Sequence, residues 1–297
     1  MLWLIIIIIA YFLFASASLA DRYLLIGPPN PKVYAFYVGI LSILVLIFIP
    51  FINFYLPSAS IIGLSFLYGL IFILSLWAIY EGLERFEVSR IIPALGAFLP
   101  VFTFLLALFI LGQEGFFTYQ IILSFSFLVL GSVFISLEKS FKISFKSLSF
   151  AALAAFFLSL CFVLSKVIYS GLDFWNGFVW MRLGTFFFAL FMLFFKEVRT
   201  EIFQKKKSFT QKTALIFISA QFLGALAVIL QNRSIALADT VYISFISALQ
   251  AIQYLFLFIF GLLFYKSLKE RISKKIIFQK IFAIILIILG LVFLTLG

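Results

Sequence analysis

Long uninterrupted apolar runs, punctuated by Pro, Gly and clusters of charge, set the rhythm of this chain. Runs at roughly 3–21, 32–53, 59–82, 89–111, 117–137, 148–170, 175–195, 213–236, 240–264 and 276–296 each reach or approach the roughly 20 residues that cross a bilayer as a helix. None alternates apolar with polar at period two, as the strands of a membrane barrel must. The pattern therefore predicts an all-α membrane protein of about ten transmembrane helices with short connections. The N-terminal run LIIIIIAYFLFASASLA has the apolar core and small residues of a signal peptide but lacks its basic leader, and is read as a retained first helix.

The basic residues sort by connection. Nineteen of the 22 Lys and Arg fall in or flank the first, third, fifth, seventh and ninth connections, from Arg22 and Lys32 to Lys274, Lys275 and Lys280. The even-numbered connections and both ends carry none. Short Lys- and Arg-rich loops stay in the cytoplasm, so these loops are expected inside and both termini outside a cytoplasmic membrane. The net charge of +11 is then a topology signal. It argues against a nucleic-acid partner and for contact with anionic lipid headgroups.

A repeat runs through the pattern. Residues 119–137, YQIILSFSFLVLGSVFISL, match 278–296, FQKIFAIILIILGLVFLTL, at seven of nineteen positions, pairing Gln120 with Gln279 and Gly131 with Gly290. At an offset of 151, Ile92 pairs with Ile243, Ala97 with Ala248 and Phe109 with Phe260. A unit of five spans is odd, so two tandem copies must cross in opposite senses. The expected organisation is a first five-helix repeat at 1–137, a linker at 138–147 and a second repeat at 148–297, an inverted arrangement common among secondary transporters.

Two segments carry a family resemblance: AIYEGLERFEVSRIIPALGAFLPVFTFLLALFILGQE at 78–114 and QNRSIALADTVYISFISALQAIQYLFLF at 231–258. With its small-residue turn, Pro-containing fourth helix and Gly-x-Glu, the chain resembles an EamA-type member of the drug/metabolite transporter superfamily along essentially its whole length. The resemblance implies ten helices and secondary transport of amino acids, sugars, nucleotide-linked or other small metabolites, often as export. Family members usually keep both ends in the cytoplasm, the reverse of what the basic loops predict here. Tyr37 stands where the second helix often carries Arg, whereas Arg182 keeps it in the seventh.

Composition narrows the chemistry. Histidine is absent, the single Cys161 lies inside an apolar run, and no GxxxxGK[ST] loop occurs. No enzyme activity, metal or other cofactor is expected, and ATP is not the direct energy source. Three basic residues remain within spans: Lys166, Arg182 and Arg233. A charge at membrane depth tends to face a cavity or a partner. One reading makes these three an electropositive site for a carboxylate or phosphate; the other has Lys166 and Arg233 snorkelling to the interface and Arg182 serving structure.

Uncharged polar groups gather on spans three (Trp77 and Tyr80, beside Glu81), eight (Gln221, Gln231, Asn232) and nine (Gln250, Gln253). They line a pathway or join helices to one another. Pro93 and Pro100 either break span four beside a substrate site or merely kink it. Glu81, Glu84 and Glu87 offer either a proton-coupling carboxylate in Glu81 or a salt-bridged interfacial face, and Trp175 and Trp180 fit an interfacial belt. The leading expectation is an alternating-access carrier of a small molecule, monomeric or homodimeric. The alternatives are a flippase for a lipid-linked anion and a non-transporting membrane scaffold.

Overall fold

The computed structural model describes the chain except residues 25–30, 87, 113–117, 137–144, 204–210, 264–273 and 297. The basic residues of the last three connections, Glu87 and the Gly-x-Glu stretch beyond Gly112 thus lie largely outside the described residues, as do the side chains of Arg22, Arg90 and Pro93.

Every regular element described is helical. In chain order these are α1 (Leu2–Leu24), α2 (Pro31–Leu41) with a 3-10 extension (Ser42–Phe51), α3 (Ala59–Arg85), α4 (Val88–Leu111), α5 (Tyr119–Ser136), α6 (Phe145–Gly171) and α7 (Phe174–Phe191). There follow α8 (Lys196–Phe203), α9 (Gln211–Leu237), α10 (Ile243–Ala248), α11 (Gln250–Leu263) and α12 (Lys274–Leu296). Among the described residues, seven helical stretches are long and apolar enough to cross a membrane, and three shorter apolar helices lie at Ala35–Phe51, Tyr119–Ile135 and Phe278–Leu294. Helices satisfy their own backbone polar groups, which a bilayer core demands. This is a multi-pass membrane protein.

Close helix contacts are made through small residues, because lipid tails and Leu side chains are equally apolar and packing alone must hold the bundle. α3 crosses α7 where Gly69 meets Gly184. A Cβ on Gly184 would lie 2.5 Å from the Ser65 carbonyl oxygen and 2.9 Å from Phe66 Cα, and one on Gly69 would run into the backbone of Gly184 and Thr185. Ser65 is fully buried there, and its hydroxyl has no hydrogen-bond partner.

α5 and α12 pack antiparallel along their length. Gly131 accommodates Ile287 and Gly290 accommodates Leu128, each leaving only 2.7 Å to an added Cβ. Ser124 donates to the Gly290 carbonyl at 2.7 Å, and at the other end Gln279 donates to the Phe134 carbonyl at 3.0 Å while Lys280 donates to that of Ile135. The contacts are reciprocal: at the offset of 159 that aligns the two segments, Gly131–Ile287 becomes Gly290–Leu128.

Proline and helix breaks do not coincide. α4 runs unbroken through Pro93 and Pro100. Pro100 has no N–H for the carbonyl of Gly96, and Ser132 of α5 takes that place, its hydroxyl 3.2 Å from the Gly96 oxygen. Ser132→Ala should therefore cost about 1–2 kcal/mol by stranding a buried carbonyl, readable as a lowered thermal midpoint in detergent. An unchanged midpoint would mean that the carbonyl has another donor. The break comes instead in the ninth apolar run, where α10 ends at Ala248 and α11 begins at Gln250. The intervening turn is tightened by an Ile252 N–H to Leu249 carbonyl bond of 2.9 Å.

Candidate functional site

The start of α7 is tied down at several points. Asp173 caps it by accepting from the backbone N–H groups of Trp175 (3.1 Å) and Asn176 (3.2 Å), a standard way to satisfy the orphan donors of a first turn. Asn176 donates to the Asn53 carbonyl (2.9 Å) and accepts from the Tyr55 N–H (3.1 Å), while the Trp180 indole donates to the Tyr55 carbonyl (3.2 Å). With the rotation of α7 set in this way and α3 drawn close at Gly69, Arg182 is directed between helices.

Arg182 is only 8% exposed. Its guanidinium carbon lies 5.3 Å from the ring centre of Phe72 on α3 and 5.2 Å from that of Phe178 on α7. Among the described residues it makes no hydrogen bond and no ion pair. Tyr68, Cys161 and Tyr169 are within its electrostatic reach. Cation–π contacts contribute about 0.5–2 kcal/mol each, less than the several kcal/mol that an unpaired buried charge costs. Its N–H donors remain open to an oxyanion.

Around Arg182 the polar groups form a string through the bundle. Tyr68 comes close to Ser165 of α6, whose hydroxyl donates to the Cys161 carbonyl (2.7 Å). The Tyr169 hydroxyl donates to Asn232 Oδ1 on α9 (3.1 Å), and Asn232 in turn donates to the Val228 carbonyl (2.9 Å). Next along α9, Gln231 comes close to Tyr11 of α1. The Tyr11 hydroxyl donates to the Ile246 carbonyl (2.6 Å), next to the break between α10 and α11. Gln250 and Gln253, half-buried on α11, make no hydrogen bond to any described residue.

Of the other charged candidates, Lys166 is engaged elsewhere and Arg233 reaches Tyr169 only from the exposed side. Lys166 is spent on the C-terminal end of α9, where its ammonium donates to the carbonyls of Ala238 (2.5 Å) and Ala236 (3.4 Å). A cation is favourable there because the last carbonyls of a helix are unpaired and carry the negative end of its dipole. Arg233 is exposed, its guanidinium 5.1 Å from the Phe174 ring. Tyr37 is 47% exposed on α2, its ring packed edge-on against Phe36.

Trp77, Tyr80 and Glu81 belong to a second group at the far end of α3. The Trp77 indole donates to Glu81 (3.1 Å), and Glu81 is also ion-paired with Arg85. Arg85 lies over Phe150 near the start of α6, whereas Lys166 meets α9 near its other end. Sixteen residues of helix separate 150 from 166, about 24 Å at 1.5 Å per residue. The sequence candidates thus divide between two ends of the bundle. Beside the Trp77 group, Lys32 bonds Glu197 of α8 at 2.7 Å and stands 4.7 Å from the Phe195 ring centre. The hydrogen bond from Lys32 holds the Glu197 carboxyl below its ordinary range. The pair is consequently present above the usual glutamate pKa and lost only as pH falls through the lowered value.

Tyr11, Tyr68 and Tyr169, with Phe72 and Phe178, were not singled out from sequence. The tyrosines' only signal was a hydroxyl at intervals within aromatic-rich runs, and the two phenylalanines had none. A separate cleft of about 210 Å³ lies between α4, α5 and α10, walled by Phe104, Ile122, Phe125 and Phe245 with Ser126 and Ser244 as its polar lining. It holds none of the candidates. No group of three or more His, Cys, Asp or Glu able to hold a metal occurs among the described residues.

Comparison with known proteins leaves the chemistry to this geometry. No family's sequence profile matches the chain, and no curated protein matches it. Solved structures do: one, described only as a crystal structure of a protein, superposes with a TM-score of 0.70 over 98% of this chain and 96% of its own at 13% identity. The chain therefore shares a fold that has been seen experimentally, and that likeness carries no substrate with it.

Proposed function

We propose that this protein is a secondary transporter, a ten-span carrier of the EamA type that moves a small metabolite across the cytoplasmic membrane by alternating access. The observation that carries the reading is Arg182, a buried cation without hydrogen bond or ion pair among the described residues, at the head of a polar string drawn from α1, α3, α6, α7 and α9. A scaffold has no use for an uncompensated charge at membrane depth. A carrier does, because the substrate supplies the missing partner and leaves again.

Two features support two inverted five-helix repeats. Contacts exchange when the halves are exchanged: α1 packs on α9 as α6 packs on α3, and α1 packs on α11 as α6 packs on α4. The reciprocal glycine contacts of α5 and α12 follow the same rule, as contacts across a two-fold axis must. A substrate site between such halves lies near the midplane. The broken ninth span borders the polar string, and helix breaks are tolerated at membrane depth where they line a cavity or are buried in protein.

Two experiments test this. Purified protein in liposomes should support counterflow of at least one member of a panel of labelled amino acids, sugars and organic anions. Flux equal to protein-free liposomes across the panel would overturn the carrier. For orientation, in a Cys161→Ser background, cysteines introduced near Pro57 or Asp239 should react with an impermeant reagent from outside, and one near Lys206 should be spared. The opposite pattern would place the basic loops outside.

A further inference from the structure

The Arg182 region has a composition that discriminates among small molecules. Among the described residues its buried cation without a hydrogen bond or ion pair is Arg182; Lys166 is committed to the α9 carbonyls, and Arg233 stands exposed over Phe174, within electrostatic reach of Tyr169. The neighbours of Arg182 are aromatic. Tyr68 stacks with Phe72 (ring centres 5.9 Å apart, interplanar angle 10°) on α3, and Tyr169, Phe174 and Phe178 form a stacked series on the other side (5.6 and 5.8 Å).

Among the described residues no carboxylate is paired with Arg182. All eleven acidic residues lie in connections or near helix ends, and Glu81, the deepest of them by sequence, is paired with Arg85 in the second group. A bound ammonium would therefore find hydroxyls, amides and ring faces but no counter-ion. Leaving a charge buried without one is costly.

Resting on the carrier reading, we infer that the substrate is an organic monoanion, a carboxylate on an aromatic or similarly flat apolar body, and that the site discriminates against the corresponding zwitterionic amino acid. The Arg182 fork takes the carboxylate through two N–H donors, a geometry that Lys cannot reproduce. The body lies among the rings of Phe72, Phe178 and Tyr169. One buried charge meets one charge there, and a phosphate dianion would have to recruit the exposed Arg233 as well.

The chain carries its own reporter. Cys161 is its single cysteine, lies on α6 one turn from Ser165, which donates to its carbonyl (2.7 Å), and is within electrostatic reach of Arg182. The full chain in nanodiscs is treated with an anionic and a cationic methanethiosulfonate, and the rate of Cys161 modification is read by mass spectrometry. The anionic reagent should react about tenfold faster relative to the cationic one than it does in Arg182→Gln, the effect of one nearby charge in a medium of intermediate dielectric. 3-Phenylpropionate should slow the reaction at concentrations at least tenfold lower than phenylalanine, phenethylamine or 3-phenylpropanol.

Equal protection by phenylalanine or by the alcohol would overturn the monoanion assignment while leaving a carrier. Protection by inorganic phosphate at lower concentrations than by 3-phenylpropionate would do the same. Unmodified Cys161 with both reagents would remove the aqueous pathway, and with it the proposed function itself. Should Arg182→Gln fail to fold, the analogue series on the unaltered chain decides alone, and Arg182→Lys is expected to keep the reagent preference while losing most of the protection.

Discussion

Gly69→Ala should cost this protein about 3 kcal/mol of stability, at the upper end of what an inserted methyl does in a packed interior. The added carbon meets the backbone of Gly184 and Thr185, and a backbone cannot turn aside as a side chain can. Gly184→Ala meets the carbonyl of Ser65 and Phe66 Cα and should behave alike. The two costs should fall short of adding, because the separation of α3 from α7 that relieves one clash relieves the other.

The same protein holds a control for that result. An added carbon at Gly63 or Gly224, both in helices, meets nothing within 4 Å, so Ala there should be neutral or stabilising by up to about 1 kcal/mol through helix propensity. Thermal unfolding of the four variants in one detergent checks this directly. Equal midpoints for Gly69→Ala and Gly63→Ala would refute the close crossing. Because Arg182 is two residues before Gly184 and packs on Phe72 of α3, a milder opening of the crossing should also weaken substrate binding.

The second large effect is expected at Arg182 itself. Arg182→Gln should reduce transport of an anionic substrate by about 1.5–3 kcal/mol, the value of a charged hydrogen bond. It should leave the thermal midpoint unchanged or raised, since the guanidinium has no hydrogen bond or ion pair among the described residues to lose and its burial is costly. Lys should be a poor substitute because it lacks the fork. Uptake of an anionic and a neutral metabolite, measured at equal protein in the membrane, separates this from a structural role. Equal losses for both substrates together with a lowered midpoint would retire the anion site.

Lys166 shows how the same residue type takes an opposite role. In sequence it is a second intramembrane cation and a natural companion for Arg182. In the fold it closes the end of α9, and the sequence contains nothing that says where α9 ends relative to α6. Glu81 is a comparable case: a carboxylate deep enough to suit proton coupling in sequence, but bonded to Trp77 and Arg85 in the structure.

Membrane class and helical content, with the approximate limits of the apolar runs, were legible in the sequence, because a bilayer imposes length and apolarity one segment at a time. The likeness of residues 119–137 to 278–296 likewise singled out two segments that the structure brings together. What only the tertiary structure decided was which polar groups already have partners. Hydropathy treats lipid and protein interior as one solvent, so it could not tell that Phe72 and Phe178 flank Arg182 while Phe109 is 81% exposed. The prolines of span four left a break or a kink equally open; α4 runs on there, with Ser132 supplying a hydroxyl to the carbonyl that Pro100 leaves unpaired, and the break comes at Leu249, which neither Pro nor Gly marks. Hydrogen bonding between helices depends on which carbonyls and hydroxyls arrive at the same depth and rotation, and that is a property of the packed bundle rather than of any one run.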